Sequence, residues 1–236
     1  QAARIGVLRD FFRKGKMHDE GIAMVESAIA HMQSQGAVIV DGLTTGVDPF
    51  ALLDGTAWAG FARTSYWERP FAFDLYFRRL GPDVPIHSTK ELIEKGGDLV
   101  KPGIIDAYAK VKSLDRDASF IARRDTQETI AAVVQNIMKT HRLDALVYPF
   151  RSVPPNRHLD PYPESDNSFS AVAGMPALVM PVGYTKETNG PIAIEFLGMP
   201  FTEHTLFKLG YAFEQTAKLR QVPPTTPPLR GEVFTY

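Results

Sequence analysis

Three apolar runs between residues 143 and 198 decide how this chain folds. They read Leu143-Asp144-Ala145-Leu146-Val147-Tyr148-Pro149, Ala177-Leu178-Val179-Met180-Pro181-Val182-Gly183 and Pro191-Ile192-Ala193-Ile194-Glu195-Phe196-Leu197-Gly198. Glycine and proline bound these runs, and two of the runs lack a clean alternation of apolar and polar residues. That pattern is typical of strands covered on both faces. We therefore predict that the three runs lie in the middle of a β-sheet.

A short helix is predicted between the first and second runs, over residues 168–173, because the segment allows barely one and a half turns. Gly174 and Pro176 then stop the helix and start the next strand. Small side chains in this segment permit the close backbone approach that a packed junction beneath a binding site needs. From spacing alone, the favoured interpretation is that these small residues only fill a core.

The rest of the chain adds helices to this sheet. A strand at residues 5–8, an amphipathic helix ending at Gly36 and a strand at residues 37–40 predict a β-α-β unit whose helix lies on a sheet. Ser88 and Glu91 form a capping box at the start of another helix. Further helical faces are carried by Ile130, Val133, Val134, Ile137 and Met138, and by Leu206, Leu209, Phe213 and Ala217. The predicted fold class is α/β, with a mixed, largely buried β-sheet flanked by helices in one domain over residues 1–236.

Aromatic residues crowd residues 43–81, which include both tryptophans, Trp58 and Trp67. Such a segment lines an apolar pocket, covers one as a helical flap, or simply packs on neighbouring helices. Packing is favoured for Phe73, Tyr76 and Phe77. For the two tryptophans, packing and a role in a pocket are equally favoured. We predict a helical, aromatic-rich segment over residues 43–110 near a substrate entrance.

The composition excludes several classes of protein. The 236 residues carry a formal net charge of -1 and no cysteine, with 44% hydrophobic and 22% charged residues. No nucleic-acid partner is expected from this charge, and no disulfide or thiolate chemistry from this composition. No window is apolar enough for a membrane span. The compartment stays unknown, with the cytoplasm as the default.

Known catalytic motifs are missing from the sequence. The six histidines are all more than four residues apart, which argues against a metal site. Phosphate-binding glycine loops and the G-x-S-x-G elbow do not occur. On motifs alone, the chain is an α/β protein without a recognisable catalytic centre.

The chain nevertheless resembles the C-terminal half of the amidase signature family. The resemblance is strongest at Asp144-Ala145-Leu146-Val147-Tyr148-Pro149, at Asn167 with Ser170-Ala171-Val172-Ala173-Gly174-Met175-Pro176-Ala177, at Pro181-Val182-Gly183-Tyr184-Thr185, at Pro191-Ile192-Ala193-Ile194-Glu195-Phe196-Leu197-Gly198-Met199-Pro200-Phe201 and at Leu209-Gly210-Tyr211-Ala212-Phe213-Glu214-Gln215. Weaker similarity extends over nearly all of the chain.

This resemblance implies hydrolysis of an amide, or sometimes an ester, by a Ser/cis-Ser/Lys triad without a cofactor. The Gly/Ser-rich signature and the lysine of that family precede the matched half, so no catalytic residue is assigned in this chain. The chain starts at Gln1 with a strand close behind, and we expect a processed or partial chain that is inactive alone. Its expected partner is the N-terminal half of the same enzyme, which would cover exposed strand edges. A homo-oligomer is left open.

The matched half would then supply the walls of a pocket for a small-molecule amide. The candidate substrate-binding residues are Tyr148, Phe150, Arg151, Asn167, Met199, Trp58 and Trp67. Tyr148 and Met199 have an alternative interpretation as core residues, and Arg151 as half of a surface ion pair. The competing function is a non-catalytic binding module that keeps the amidase C-terminal fold.

Overall fold

The computed structural model describes residues 2–46, 64–154, 169–221, 226 and 230–232. Their contacts form two compact units. The first comprises residues 1–47, 135–170 and 175–236, and the second comprises residues 48–134 and 171–174. The single domain and the position of residues 43–110 at a substrate entrance stay predictions.

Five strands of the first unit form one mixed sheet, which confirms the predicted fold class. They are β1 (Arg4–Leu8), β2 (Val38–Leu43), β3 (Ala145–Arg151), β4 (Ala177–Tyr184) and β5 (Pro191–Leu197). Their order across the sheet is β2-β1-β3-β5-β4. Strand β1 runs parallel to β2 and β3, whereas β5 is antiparallel to both β3 and β4. Strands β1 to β4 therefore point one way and β5 points the other.

The three decisive runs occupy different places in this sheet. Strands β3 and β5 are interior, as predicted, and every residue from Ala145 to Pro149 is buried. The prediction is wrong for β4, which is the outermost strand at its side of the five described strands and leaves Val179 exposed. An apolar run fits a covered strand, but only long-range pairing decides whether both neighbours are present.

Seven α-helices accompany the sheet strands in the described residues. They are α1 (Asp19–Ser34), α2 (Ser65–Arg79), α3 (Thr89–Gly96), α4 (Pro102–Lys110), α5 (Ala118–His141), α6 (Phe169–Ala173) and α7 (Glu203–Ala217). The predicted short helix is α6, and Gly174 ends it with a φ of 61°. The amphipathic face of α1 is buried through Val25, Ala28, Ile29 and Met32, and Gly36 follows the helix with a φ of 94°. These local signals were therefore sufficient to place α1 and α6.

One face of the sheet packs against α1 and α7. The buried residues that form this core include Ile5, Val7, Val25, Ile29, Met32, Val147, Val182, Ile194, Phe196, Leu206 and Phe213. The alternating residues of the strands point to the other face, where Leu8, Tyr148 and Leu197 are also fully buried. Both faces of the interior strands are thus removed from water.

The described part of the second unit is helical. The capping box predicted at α3 is present, because Ser88 Oγ accepts the Glu91 backbone N–H at 3.1 Å. The Glu91 carboxylate in turn accepts the His87 backbone N–H at 2.6 Å. Helix α4 lies within the segment over residues 43–110 that was predicted to be helical, and Pro102 stands at its first turn. None of the helices in the described residues is long and apolar enough to cross a bilayer.

Candidate substrate-binding edge

The carboxyl ends of β1, β2 and β3 meet at one edge of the sheet, which we call the carboxyl edge. It consists of residues 9–12 after β1, residues 44–46 after β2 and residues 150–154 at the end of β3. Ligand sites of open α/β sheets form outside the carboxyl ends of parallel strands. The carboxyl edge is therefore the candidate functional site of the first unit.

A charged network ties β1 to β2 at this edge. The Arg9 guanidinium donates to both Asp41 oxygens, at 2.6 Å and 2.5 Å, and also donates to the Glu26 carboxylate of α1. The hydrogen bond from Arg9 holds the pKa of Asp41 below its ordinary value, and the Asp41 carboxylate raises the pKa of Arg9 in return. Arg9 also lies over the Phe12 ring, 4.3 Å from its centroid. These ion pairs hold the segment after β1 against β2 and α1.

Asp10 fixes the loop that follows β2. Its Oδ2 accepts the Thr45 backbone N–H at 2.5 Å and the Thr45 hydroxyl at 3.0 Å, and its Oδ1 accepts the Thr44 hydroxyl. A carboxylate that accepts several hydrogen bonds from one loop acts as a brace for that loop. Asp10 therefore shapes the carboxyl edge.

A buried aromatic cluster lies beneath the carboxyl edge. The Phe11 ring stacks on the Tyr148 ring with centroids 4.2 Å apart, and Phe169 of α6 meets Phe11 and Tyr148 edge-on at 5.0 Å and 6.0 Å. All three side chains are fully buried. The cluster packs the turn after β1 and Phe169 against β3.

Glu195 stands beside this cluster as a buried acid. It lies opposite Tyr148 in the pairing of β3 with β5, so both side chains point to the same face. Glu195 is 1% exposed and Tyr148 is 0% exposed. Burial raises the pKa of Glu195, while the Ser170 and Tyr148 hydroxyls act in the opposite direction. Burial likewise raises the pKa of Tyr148, reinforced by the Glu195 carboxylate.

Tyr148 and Glu195 each keep a buried polar atom without a partner in the described part of the chain. Within the described residues, neither Tyr148 Oη nor Glu195 Oε2 has a partner at hydrogen-bond geometry. Burial is the dominant cause of both raised pKa values. Glu195 is a costly residue at this position, because an unsatisfied buried polar group costs about 1–3 kcal/mol.

The end of β3 carries a bulge at Phe150. Pro149 pairs with Ile194 and Arg151 pairs with Ala193, so Phe150 is the extra residue on β3. A bulge bends its strand and redirects the side chains around it. Phe150 and Arg151 are both half-buried, unlike the fully buried residues that precede them on β3. The bulge therefore separates the fully buried part of β3 from its partly exposed end.

His18 and Ser152 meet just beyond the bulge. His18 Nδ1 lies 2.8 Å from Ser152 Oγ, with His18 7% exposed and Ser152 1% exposed. This pair superficially suggests a base and a nucleophile. Because the serine is almost completely buried, a substrate carbonyl has no access to it. The pair instead joins the N-terminus of α1 to the end of β3.

The structure brings together three of the seven predicted substrate-binding residues. Tyr148, Phe150 and Arg151 are close neighbours on β3, with Tyr148 buried beneath the other two. Met199 follows β5, and Leu197 of β5 pairs with Leu146 near the start of β3. Met199 thus lies at the opposite edge of the sheet, roughly 20 Å along the strand direction from Arg151.

Of the other three predicted residues, one lies in the second unit and two lie outside the described residues. Trp67 belongs to the second unit, where the Arg123 guanidinium lies 4.4 Å from its ring centroid and the Tyr66 ring meets it edge-on at 4.9 Å. Trp58 and Asn167 lie outside the described residues. For these residues a role in substrate binding stays a prediction.

Sequence reasoning missed His18, Ser152 and Glu195. A signal for Glu195 was present, because it is the single acid in the apolar run of residues 191–197. No local signal linked His18 to Ser152, since 134 positions separate them. No group of three or more His, Asp or Glu side chains suited to a metal ion occurs among the described residues. The charged side chains of Arg9 and Asp10 at the carboxyl edge are engaged in hydrogen bonds within the protein.

Comparison with known proteins identifies the family. A family model described as Amidase matches residues 1–207. The peptide amidase of Stenotrophomonas maltophilia superposes with a TM-score of 0.70 and 26% sequence identity, covering 93% of this chain and 44% of that chain. An amidase family protein of Bacillus anthracis has a TM-score of 0.68 at 24% identity, covering 96% of this chain and 40% of its own.

A curated relative shows the same similarity at the level of sequence. A glutamyl-tRNA(Gln) amidotransferase subunit from Levilactobacillus brevis is 28% identical over 144 residues, which are 58% of this chain and 29% of that protein. The chain thus spans less than half the length of each of these relatives. With the family model matching most of its residues, the chain belongs to the amidase family.

Proposed function

We propose that this chain is part of an amidase-type hydrolase and that it supplies walls of the substrate pocket. In this proposal the catalytic serine, cis-serine and lysine lie in a part of the protein outside this chain. The observation that carries the proposal is the family match over residues 1–207, together with the arrangement of Phe150 and Arg151 at the carboxyl edge.

The proposed reaction is the hydrolysis of a carbon–nitrogen bond. The serine oxygen attacks the amide carbonyl carbon, its proton passes through the cis-serine to the lysine, and backbone N–H groups hold the oxyanion. The tetrahedral intermediate collapses, and the amine leaves with the returned proton. Water then releases the acyl group as a carboxylic acid and restores the serine. This chain takes part by shaping the pocket around the acyl group or the leaving group.

The half-buried side chains at the end of β3 suit this role. Phe150 offers an apolar surface, and the Arg151 guanidinium lies 6.0 Å from the centroid of its ring. The aromatic cluster of Phe11, Tyr148 and Phe169 packs around β3 two positions before Phe150. A pocket wall on a rigid base holds a substrate in one orientation, which is how positioning contributes to catalysis.

The proposed partner of this chain is the N-terminal half of the same enzyme. Support comes from the relatives, because this chain covers 44% of the peptide amidase and 29% of the amidotransferase protein. Further support comes from apolar side chains that the first unit leaves exposed, namely Val179, Phe201, Phe207 and Tyr211, with Phe201 90% exposed. Large exposed apolar surfaces mark interaction sites.

The experiment compares the full-length protein with this chain alone. Both are incubated with a panel of peptide amides, aliphatic and aromatic carboxamides, free glutamine and matched esters, and carboxylic acid and amine release are measured. We expect hydrolysis of at least one amide by the full-length protein and none by this chain alone. Equal activity of the isolated chain would disprove the assignment of the catalytic residues to another segment.

The alternative is a binding module that keeps the amidase fold without catalysis. It predicts a full-length protein that hydrolyses no member of the panel while still binding an amide. Binding is measured by calorimetry with the same panel. Binding without turnover, at any pH between 6 and 9, would favour the module over the hydrolase.

A further inference from the structure

The N-terminus of α1 is attached to the end of β3 through a buried contact. His18 precedes α1 and Ser152 follows β3, and the two side chains lie 2.8 Å apart at Nδ1 and Oγ. Because β1 lies between β2 and β3, the segment that links β1 to α1 emerges beside the end of β3. The topology therefore brings two distant residues together at the carboxyl edge.

Backbone packing makes this attachment tight. A Cβ atom at Gly21, in the first turn of α1, would lie 2.0 Å from the Ser152 carbonyl oxygen and 2.7 Å from its carbonyl carbon. Only glycine allows α1 to approach the Ser152 backbone so closely. The side-chain contact of His18 and the close approach at Gly21 act on the same residue. Ser152 is thus fixed from two directions.

The residues immediately before Ser152 are the ones that the proposed pocket uses. Phe150 is the bulged residue of β3, and Arg151 resumes the pairing with β5. A bulge interrupts the regular ladder of hydrogen bonds, so its conformation depends on what holds the strand beyond it. Ser152 is the next residue along the chain. Its attachment to α1 therefore constrains Phe150 and Arg151.

We propose that His18 is a positioning residue, which acts through Ser152 to hold Phe150 and Arg151 in the orientation that binds substrate. This inference rests on the proposed function of the carboxyl edge as a pocket wall. His18 itself does not touch the substrate, because it is 7% exposed and its Nδ1 faces Ser152. Its loss should weaken substrate binding more than the chemical step.

The test uses variants of the full-length protein and the best amide found with the panel. Ser152→Ala and His18→Leu remove the hydrogen bond, whereas His18→Asn keeps a polar atom near the place of Nδ1. His31→Asn is the matched control, since His31 Nε2 contacts Thr216 Oγ1 at 2.9 Å on an exposed face of α1. The concentration of active sites is determined by titration of the acyl-enzyme, and kcat and KM are then measured for each variant.

We expect Ser152→Ala and His18→Leu to raise KM about tenfold and to leave kcat within about twofold. His18→Asn should recover most of the loss, and His31→Asn should match the wild type. A purely structural role of His18 would lower the amount of active enzyme and leave KM unchanged, and that result would overturn the proposal. So would an increase in KM for His31→Asn of the same size.

Amide hydrogen exchange keeps this test independent of activity. In the full-length protein, His18→Leu should increase exchange at residues 150–153 locally, and His18→Asn should not. If the wild type hydrolyses no amide, the proposed function fails while the exchange result still decides the role of His18 in holding this segment. Unchanged exchange at residues 150–153 in His18→Leu would refute the positioning role by itself.

Discussion

Replacement of Gly21 by alanine tests the close packing of α1 on the end of β3. The added Cβ would lie 2.0 Å from the Ser152 carbonyl oxygen and 2.9 Å from the Ser152 Cα, whereas ordinary van der Waals contact begins at about 3.4 Å. The obstructing atoms belong to the backbone and cannot rotate away. Either α1 or the end of β3 must therefore shift by more than 1 Å.

Opposing contributions set the size of the effect. Alanine in place of glycine stabilises a helix by up to about 1 kcal/mol. Overpacking costs typically about 1–3 kcal/mol, and a shift of α1 also weakens the His18–Ser152 hydrogen bond, worth about 1 kcal/mol. The net expectation is a loss of roughly 2 kcal/mol. That loss would lower Tm by about 4–8 °C for a chain of this size and by correspondingly less for the longer full-length protein.

Two other helical glycines provide controls for this prediction. Nothing lies within 4 Å of a Cβ at Gly103 in α4, so Gly103→Ala should stabilise the protein by up to about 1 kcal/mol. At Gly210 in α7 the Cβ would meet Leu178 Cδ2 at 2.3 Å, which is the end of a side chain that can move. Gly210→Ala should therefore fall between the other two variants.

The assay is thermal and urea unfolding of the three variants in the full-length protein, with exchange at residues 150–153 as the local readout. The expected order of stability is Gly103→Ala, wild type, Gly210→Ala and Gly21→Ala. A Gly21→Ala variant as stable as the wild type would refute the close approach of α1 to Ser152.

Three further predictions concern other buried or capped groups. Burial raises the pKa of Glu195, so the stabilisation that the protonated Glu195 provides is full below the ordinary pKa of glutamic acid and is lost as pH rises through the raised folded pKa. Glu195→Gln should therefore become more stable relative to the wild type as pH rises from 4 to 8. Urea-unfolding free energies of the two proteins that differ by the same amount at pH 4 and pH 8 would contradict this. Ser88→Ala removes the side-chain cap of α3 and should cost about 1 kcal/mol, measured by unfolding against the exposed control Ser27→Ala. Phe11→Ala empties the centre of the aromatic cluster and should cost about 3–5 kcal/mol, so that a Tm within 2 °C of the wild type would argue against that cluster.

Local patterns in the sequence determined most of the elements. The spacing of apolar residues predicted α1 and α7 and the buried strands β3 and β5, since helix and strand periodicities follow from backbone geometry alone. Capping residues predicted the start of α3, and Gly174 predicted the end of α6. Each of these signals lies within a single helix or strand, which is why the sequence displays it.

Tertiary structure alone decided how these elements meet. The outer position of β4, the cross-strand pair of Tyr148 and Glu195 and the contact of His18 with Ser152 all depend on partners that are distant in sequence. Strands pair through backbone N–H and C=O groups, so the sequence of one strand does not determine which strand it pairs with. The sequence could for this reason point to candidate residues along β3, such as Phe150 and Arg151. It could not predict the contact of α1 with Ser152.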